Sequence, residues 1–324
     1  MARLFIDGFE SGSLDLWDYN QQNASINSSL SGRDGNYCLS VDTSFNTSLE
    51  KNLPSKSELY VAFRLYPKTG AHAIRFYYDS TLLGYLYLSG TGGNFQAKRG
   101  DGTNLATGTT TINGQVWILV EVRYKPADSG GVFQVKVGGN LDIDYTGDTT
   151  SGGSSVNKIA LGTNNFNNGI GYYDNIIVDD DSWIGDTKIQ AIKPTAAGNS
   201  TQWDPSSGSN WDCVDERPPS DTDYNYTNAA DELDLFTFSD LSGSIEEIKC
   251  VQVQARAKYE GAPAATKLQL GVRLSSTNYF SDSKNLTTEF KQHYHLWEQD
   301  PSTSSAWTAS GVNAAEFGYK AVTL

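Results

Sequence analysis

The sequence predicts an all-β protein of two β-sandwich (jelly-roll) domains, on three observations. Apolar and polar residues alternate at strand length, as in Ser57-Glu58-Leu59-Tyr60-Val61-Ala62-Phe63-Arg64-Leu65-Tyr66. Turn-forming clusters such as Ser89-Gly90-Thr91-Gly92-Gly93-Asn94 and Asp128-Ser129-Gly130-Gly131 separate these runs. The composition, with 31 Gly, one Met and 38% hydrophobic residues, suits strands joined by many turns. A chain of 324 residues exceeds one typical domain and can bury two sizeable cores.

The elements follow in order. Arg3 to Asp7 reads as an opening strand, and residues 74–78, 82–88, 117–124 and 132–137 continue the alternation. No stretch of this half keeps helical periodicity beyond about two turns, so an antiparallel sandwich is the economical fold. The acidic turn Asp179-Asp180-Asp181, with Trp183 and Gly185, suits a short anchored connector. The first domain is therefore expected over 1–183 and the second over 184–324. Residues 184–194 read as the first strand of the second domain, and 195–228 as a long, turn-rich surface loop carrying Trp203 and Trp211. Strands are expected again at 234–238, 248–257, 266–274, 289–297 and 316–322.

Charge and termini narrow the function classes. The net charge is −14, shared by both halves, and a field of that sign repels phosphate backbones; nucleic acid is not an expected partner. No apolar run approaches the ~20 residues of a membrane span. The N-terminus shows neither a basic n-region nor an apolar h-region, so a soluble protein without a leader is expected. Cys38, Cys213 and Cys250 are too few and too scattered for a disulfide framework and read as small buried hydrophobes. Asn-X-Ser/Thr triplets at Asn23, Asn27, Asn46, Asn199, Asn225 and Asn285 are expected by chance in a chain this rich in Asn, Ser and Thr.

Four segments of the first half carry a resemblance. Asp7-Gly8-Phe9-Glu10-Ser11-Gly12-Ser13-Leu14-Asp15-Leu16-Trp17 resembles the opening strand of concanavalin A-like jelly rolls of the laminin-G type. Gly32-Arg33-Asp34-Gly35-Asn36-Tyr37-Cys38-Leu39-Ser40-Val41 is similar to their second strand, and Trp117-Ile118-Leu119-Val120-Glu121-Val122-Arg123-Tyr124 to their central back-sheet strand. Gly171-Tyr172-Tyr173-Asp174-Asn175-Ile176-Ile177-Val178-Asp179-Asp180 resembles the closing strand, which returns beside the first. The second half, through Trp297-Glu298-Gln299-Asp300-Pro301 with Ala306-Trp307-Thr308, is similar to modules that follow such domains in tailed-phage virion proteins. The resemblance implies a virion component, made in the host cytoplasm and released by lysis, which fits a chain of exterior composition without a leader.

Candidate sites are few. Asp174 and Asn175 interrupt an apolar strand, so their side chains need partners. A structural hydrogen bond near the Asp7-Gly8 turn is the first expectation, and a calcium site built from Asp7, Glu10 and Asp174 the second. Tyr77, Tyr78, Tyr85 and Tyr87 lie on neighbouring strands, with Tyr85 and Tyr87 on one face. Tyr77, Tyr85 and Tyr87 would offer flat rings to a glycan, with ordinary sandwich packing as the alternative. Trp203 and Trp211 would form a contact surface if exposed or staple the interdomain seam if buried. His293 and His295 flank Tyr294 on one strand face, but no further metal ligand is spaced with them. The string Glu232-Leu233-Asp234-Leu235-Phe236-Thr237 lacks the last carboxylate of the Glu-X-Asp-X-X-Glu strand of endoglucanases that share the sandwich, so a glycoside hydrolase ranks last. No phosphate loop, nucleophile elbow or zinc signature occurs.

The expected function is thus that of a non-enzymatic bacteriophage structural protein, a head decoration or tail-associated component. Its expected partners are capsid or tail proteins, further copies of itself through edge strands at Leu4 and Val322, and glycans at the lectin-like domain. No cofactor other than calcium is expected. A carbohydrate-binding adhesin or lectin module is the competing reading.

Overall fold

The computed structural model describes residues 3–21, 24–30, 35–42, 48–68, 71–90, 92–162, 170–261 and 265–323. Among them the protein is nearly all β, with one short α-helix, Ala309–Ala314, and one 3₁₀ turn, Asp212–Val214. The Gly32-Arg33-Asp34 part of the second-strand motif and the triplets at Asn23 and Asn46 lie outside the described residues. The chain divides into two compact units, Met1–Glu10 with Trp17–Ile189 and Ser11–Leu16 with Gln190–Leu324.

The first unit is an antiparallel sandwich. Its eight-stranded sheet runs Asn140–Gly147, Gly131–Val137, Ile118–Lys125, Leu59–Pro67, Ile170–Asp179, Cys38–Asp42, Ala24–Asn27, with Arg3–Asp7 also paired to Ile170–Asp179. The expected return of the closing strand beside the opening one is observed, with Phe5 opposite Val178 and Asp7 opposite Ile176. The seven-stranded sheet runs Asn104–Thr107, Phe95–Arg99, Thr81–Leu88, Ala71–Tyr78, Val156–Leu161, Ser48–Lys56, Tyr19–Gln21. Strand alternation sends one residue of each pair inward. Phe76 of the seven-stranded sheet stacks on Tyr124 of the eight-stranded one, with centroids 4.5 Å apart, and Phe133 meets both edge-on. All three rings are fully buried.

Gly84 makes room for that stack. A Cβ there would stand 2.8 Å from the Tyr124 hydroxyl and 3.1 Å from the Lys98 carbonyl. Tyr124 cannot give way easily, because its hydroxyl donates to the Thr149 carbonyl at 2.8 Å. Gly84→Ala is expected to destabilise the first unit by about 2 kcal/mol through overpacking, read as a lower urea midpoint.

Residues 184–193 do not form the strand expected over 184–194. Their backbone is held by side chains instead: Gly185 N–H donates to Glu121 at 2.8 Å and Ile189 N–H to Asn175 at 2.9 Å. Asn175, at φ 50°, therefore ties down the segment beyond the closing strand.

The second unit begins its strands at Pro194–Thr201. The six-stranded sheet runs Pro194–Thr201, Leu233–Phe238, Glu316–Val322, Lys267–Leu274, Thr277–Phe280, with Lys284–Asn285 also on Lys267–Leu274. Leu268, Leu270, Val272 and Phe317 from this sheet pack with Val253 and Trp297 of the Val251–Ala257/Lys291–Trp297 pair, and with Trp307 and Val312. The motif tryptophans are core residues, since the buried Trp307 indole donates to the Trp297 carbonyl at 2.9 Å. Val322 belongs to a strand with neighbours on both sides and offers no edge, contrary to expectation.

Candidate functional site

The outward face of the seven-stranded sheet gathers the aromatic residues. Residues opposite one another in a ladder share a face, and one row reads Lys98, Tyr85, Arg75, Ala160, Glu50, Tyr19 across six strands. In the next row Gln96 lies opposite Tyr87, and Tyr87 opposite His72. On the other side of the row Tyr77 stands opposite Lys158.

Arg75 organises the middle of this face. Ala160 on the intervening strand leaves space for its side chain to cross to Ser48. Its guanidinium donates to the Ser48 hydroxyl at 2.8 Å and to the Tyr77 hydroxyl at 2.9 Å. Its Nε is buried without a hydrogen-bond partner, and the side chain is only 1% exposed. Lys158 pairs with Glu50 at 2.9 Å and its ammonium lies 4.8 Å from the Tyr77 ring centre. The Lys98 ammonium lies 5.4 Å from the centre of the Tyr87 ring. Burial, then the neighbouring Tyr87 and Asp101, push the Tyr85 phenol above its usual range, so it stays neutral.

The expected glycan-binding residues are thereby placed on one face, but not alike. Tyr85 and Tyr87 are half-buried and present part of their rings, whereas Tyr77 is buried at 8% exposure and serves as floor. Tyr78 points to solvent. Sequence reasoning missed Arg75, Lys98, Lys158, Glu50 and Ser48. The one local signal is Arg75 itself, a cation between Ile74 and Phe76 in an apolar strand.

The expected calcium ligands do not converge. Asp7 accepts from the Phe9 N–H at 2.7 Å and the Trp17 indole at 2.8 Å. Glu10 accepts from the N–H groups of Asn36 and Tyr37 at 2.9 and 3.0 Å, and Asp174 from the Asn175 N–H at 2.7 Å. Each carboxylate is engaged by N–H donors, which compete with a cation for the same lone pairs. No group of three or more His, Cys, Asp or Glu side chains suited to a metal occurs among the described residues, those around His293 and His295 included.

Trp203 is half-buried and packs within the second unit. Its indole donates to the Glu232 carbonyl at 3.0 Å and its ring meets Tyr319 edge-on at 4.8 Å. Trp211 is half-buried just before the 3₁₀ turn. The exposed aromatics of this region are Tyr224 and Tyr226, 6.3 Å apart, which the sequence reading did not single out.

No protein-family model matches the sequence, and no curated protein matches it. Among solved structures, similar chains are β-sandwich glycan-lyase, carbohydrate-binding and lectin-like domains. The endo-β-1,4-glucuronan lyase of the fungus Trichoderma reesei is 14% identical over 55% of this chain and 95% of its own, with a TM-score of 0.42. The carbohydrate-binding module CBM66 from Bacillus subtilis is 14% identical over 48% of this chain and 92% of its own, with a TM-score of 0.32. The carbohydrate recognition domain of Emp46p is 10% identical over 53% and 98%, also at 0.32. Likeness at this level carries no activity with it. The chain's own strands and sheets define an all-β protein of β-sandwich units.

Proposed function

We propose that the protein is a non-enzymatic carbohydrate-binding protein whose first unit takes a glycan on the outward face of the seven-stranded sheet. The supporting observation is the pair Tyr85 and Tyr87, side by side on a half-exposed face with Lys98 and Gln96 in the adjoining strand. Sugar C–H faces stack on aromatic rings while amide and ammonium N–H groups donate directed hydrogen bonds to hydroxyl and ring oxygens. The neutral Tyr85 phenol adds a donor to that set. Glycan-array binding by the intact protein is the expected result. Tyr85→Ala and Tyr87→Ala are each expected to weaken it about tenfold, the equivalent of about 1.4 kcal/mol. A folded protein that binds no glycan on the array overturns this reading. Release of new sugar ends from a bound polymer overturns its non-enzymatic part.

A virion location is a second proposal, supported by the order of the laminin-G-like motifs and the second-half motif. The second unit would then attach to a capsid or tail subunit. Co-sedimentation with purified phage particles tests it, and a protein that stays in the supernatant rejects it.

A further inference from the structure

We propose that the glycan taken by this face is an acidic one, its carboxylate or sulfate groups held by Lys98 over the Tyr85 and Tyr87 rings in the field of Arg75. This rests on the carbohydrate-binding reading and adds the charge of the ligand to it. The chain carries a net −14, yet among the described residues the rows of this face place Arg75, Lys98 and Lys158 against Glu50, and Asp101, which neighbours Tyr85, is paired with Arg99 at 2.7 Å. Lys158 and Glu50 neutralise one another at 2.9 Å. Among the described residues, Arg75 and Lys98 form no ion pair.

Arg75 is the independent sign. A guanidinium taken out of water is costly unless an anion and hydrogen bonds replace its hydration. Here it is 1% exposed, it is bonded by two neutral hydroxyls, and its Nε has no hydrogen-bond partner. The Ser48 hydroxyl in turn donates to Glu50 at 3.0 Å, so the nearest carboxylate is reached only through a hydroxyl and is shared with Lys158. A fixed cation beneath a surface, with one carboxylate shared between it and Lys158, attracts anions to that surface with little reorganisation on binding. Lys98, half-buried and resting near the Tyr87 ring, is the reachable partner. A neutral glycan would leave both charges as they are, whereas an acidic glycan compensates them and stacks on the same tyrosines.

The test compares polymers of matched linkage. Binding of polyglucuronate and of its carboxyl-reduced, neutral counterpart is measured by titration calorimetry at low ionic strength, with dextran sulfate and dextran as the sulfate arm. At least one acidic polymer is expected to bind about tenfold or more tightly than its neutral parent, and the arm that responds identifies the anionic group. Lys98→Gln is expected to remove about five- to tenfold of that preference while leaving the urea midpoint unchanged. Arg75→Gln is expected to remove a similar share, and Lys98→Gln alone decides the matter if that protein does not fold. Equal affinity for charged and neutral polymers overturns the inference but leaves the carbohydrate-binding reading standing. Absence of binding to all four polymers, with glycan-array binding retained, also overturns it. Absence of binding to any glycan overturns the underlying reading instead.

Discussion

Replacing Asp234 by alanine is expected to destabilise the second unit by about 4 kcal/mol, the largest effect of any substitution considered. Asp234 is fully buried. One carboxylate oxygen accepts the N–H groups of Gln202 and Trp203 at 2.7 and 3.0 Å, and the other accepts the Asn210 amide at 2.7 Å. Asn210 in turn donates to the Trp203 carbonyl, and Asn225 donates to the Asn210 carbonyl and the Tyr319 hydroxyl. Alanine strands three donors at once, each costing about 1–3 kcal/mol when buried and unmet. Asparagine keeps one acceptor oxygen for the two backbone N–H groups and opposes an amide to an amide at Asn210, so Asp234→Asn is expected to lose about half as much. Urea unfolding followed by tryptophan fluorescence measures both. Equal midpoints for alanine and wild-type proteins would mean that the loop is held by other contacts.

Stability of the first unit is expected to fall as the pH rises from about 4 to 7, relative to an Asp7→Asn variant. Burial pushes the Asp7 carboxyl up from its ordinary 3.8 to about 6, against the lowering effect of the Phe9 and Trp17 donors. The folded state therefore holds this proton more tightly than the unfolded chain. Its contribution is fully present below about 3.8 and is lost as the pH passes through about 6. A shift of this size corresponds to about 3 kcal/mol. Denaturant midpoints at intervals between pH 4 and 7 should diverge by that amount between the two proteins. Parallel curves would show that Asp7 is ionised at little cost in the fold.

The strands were legible where alternation is strong. The run around Phe63 and the closing run around Val178 announce their faces, because one side of each must be apolar to bury it. Residues 184–194 misled because Ile184, Ile189 and Ile192 supply apolar residues without a ladder partner. The long second-unit loop looked free because its organiser, Asp234, lies on a strand some 30 residues further along, and no local pattern signals a carboxylate that closes at that distance. The site divides in the same way. Tyr85 and Tyr87 share a face by simple alternation, but the row from Lys98 through Arg75 to Glu50 exists only once five strands have taken their register. Asp7, Glu10 and Asp174 suggested a cation by their chemistry. Backbone N–H donors, which carry no sequence signature, claimed them first.

The pairing of Arg3–Asp7 with Ile170–Asp179 sets a timetable for biosynthesis. At ribosomal rates of roughly 5–20 residues per second, the partner of the first strand is made roughly 10–35 s after it. Until then Phe5 and Ile6, both buried in the finished sheet, remain on an open backbone edge. The opening strand is thus among the last of the first unit to be locked in place, and its apolar edge stays open to mispairing or chaperone capture until Ile170–Asp179 has followed.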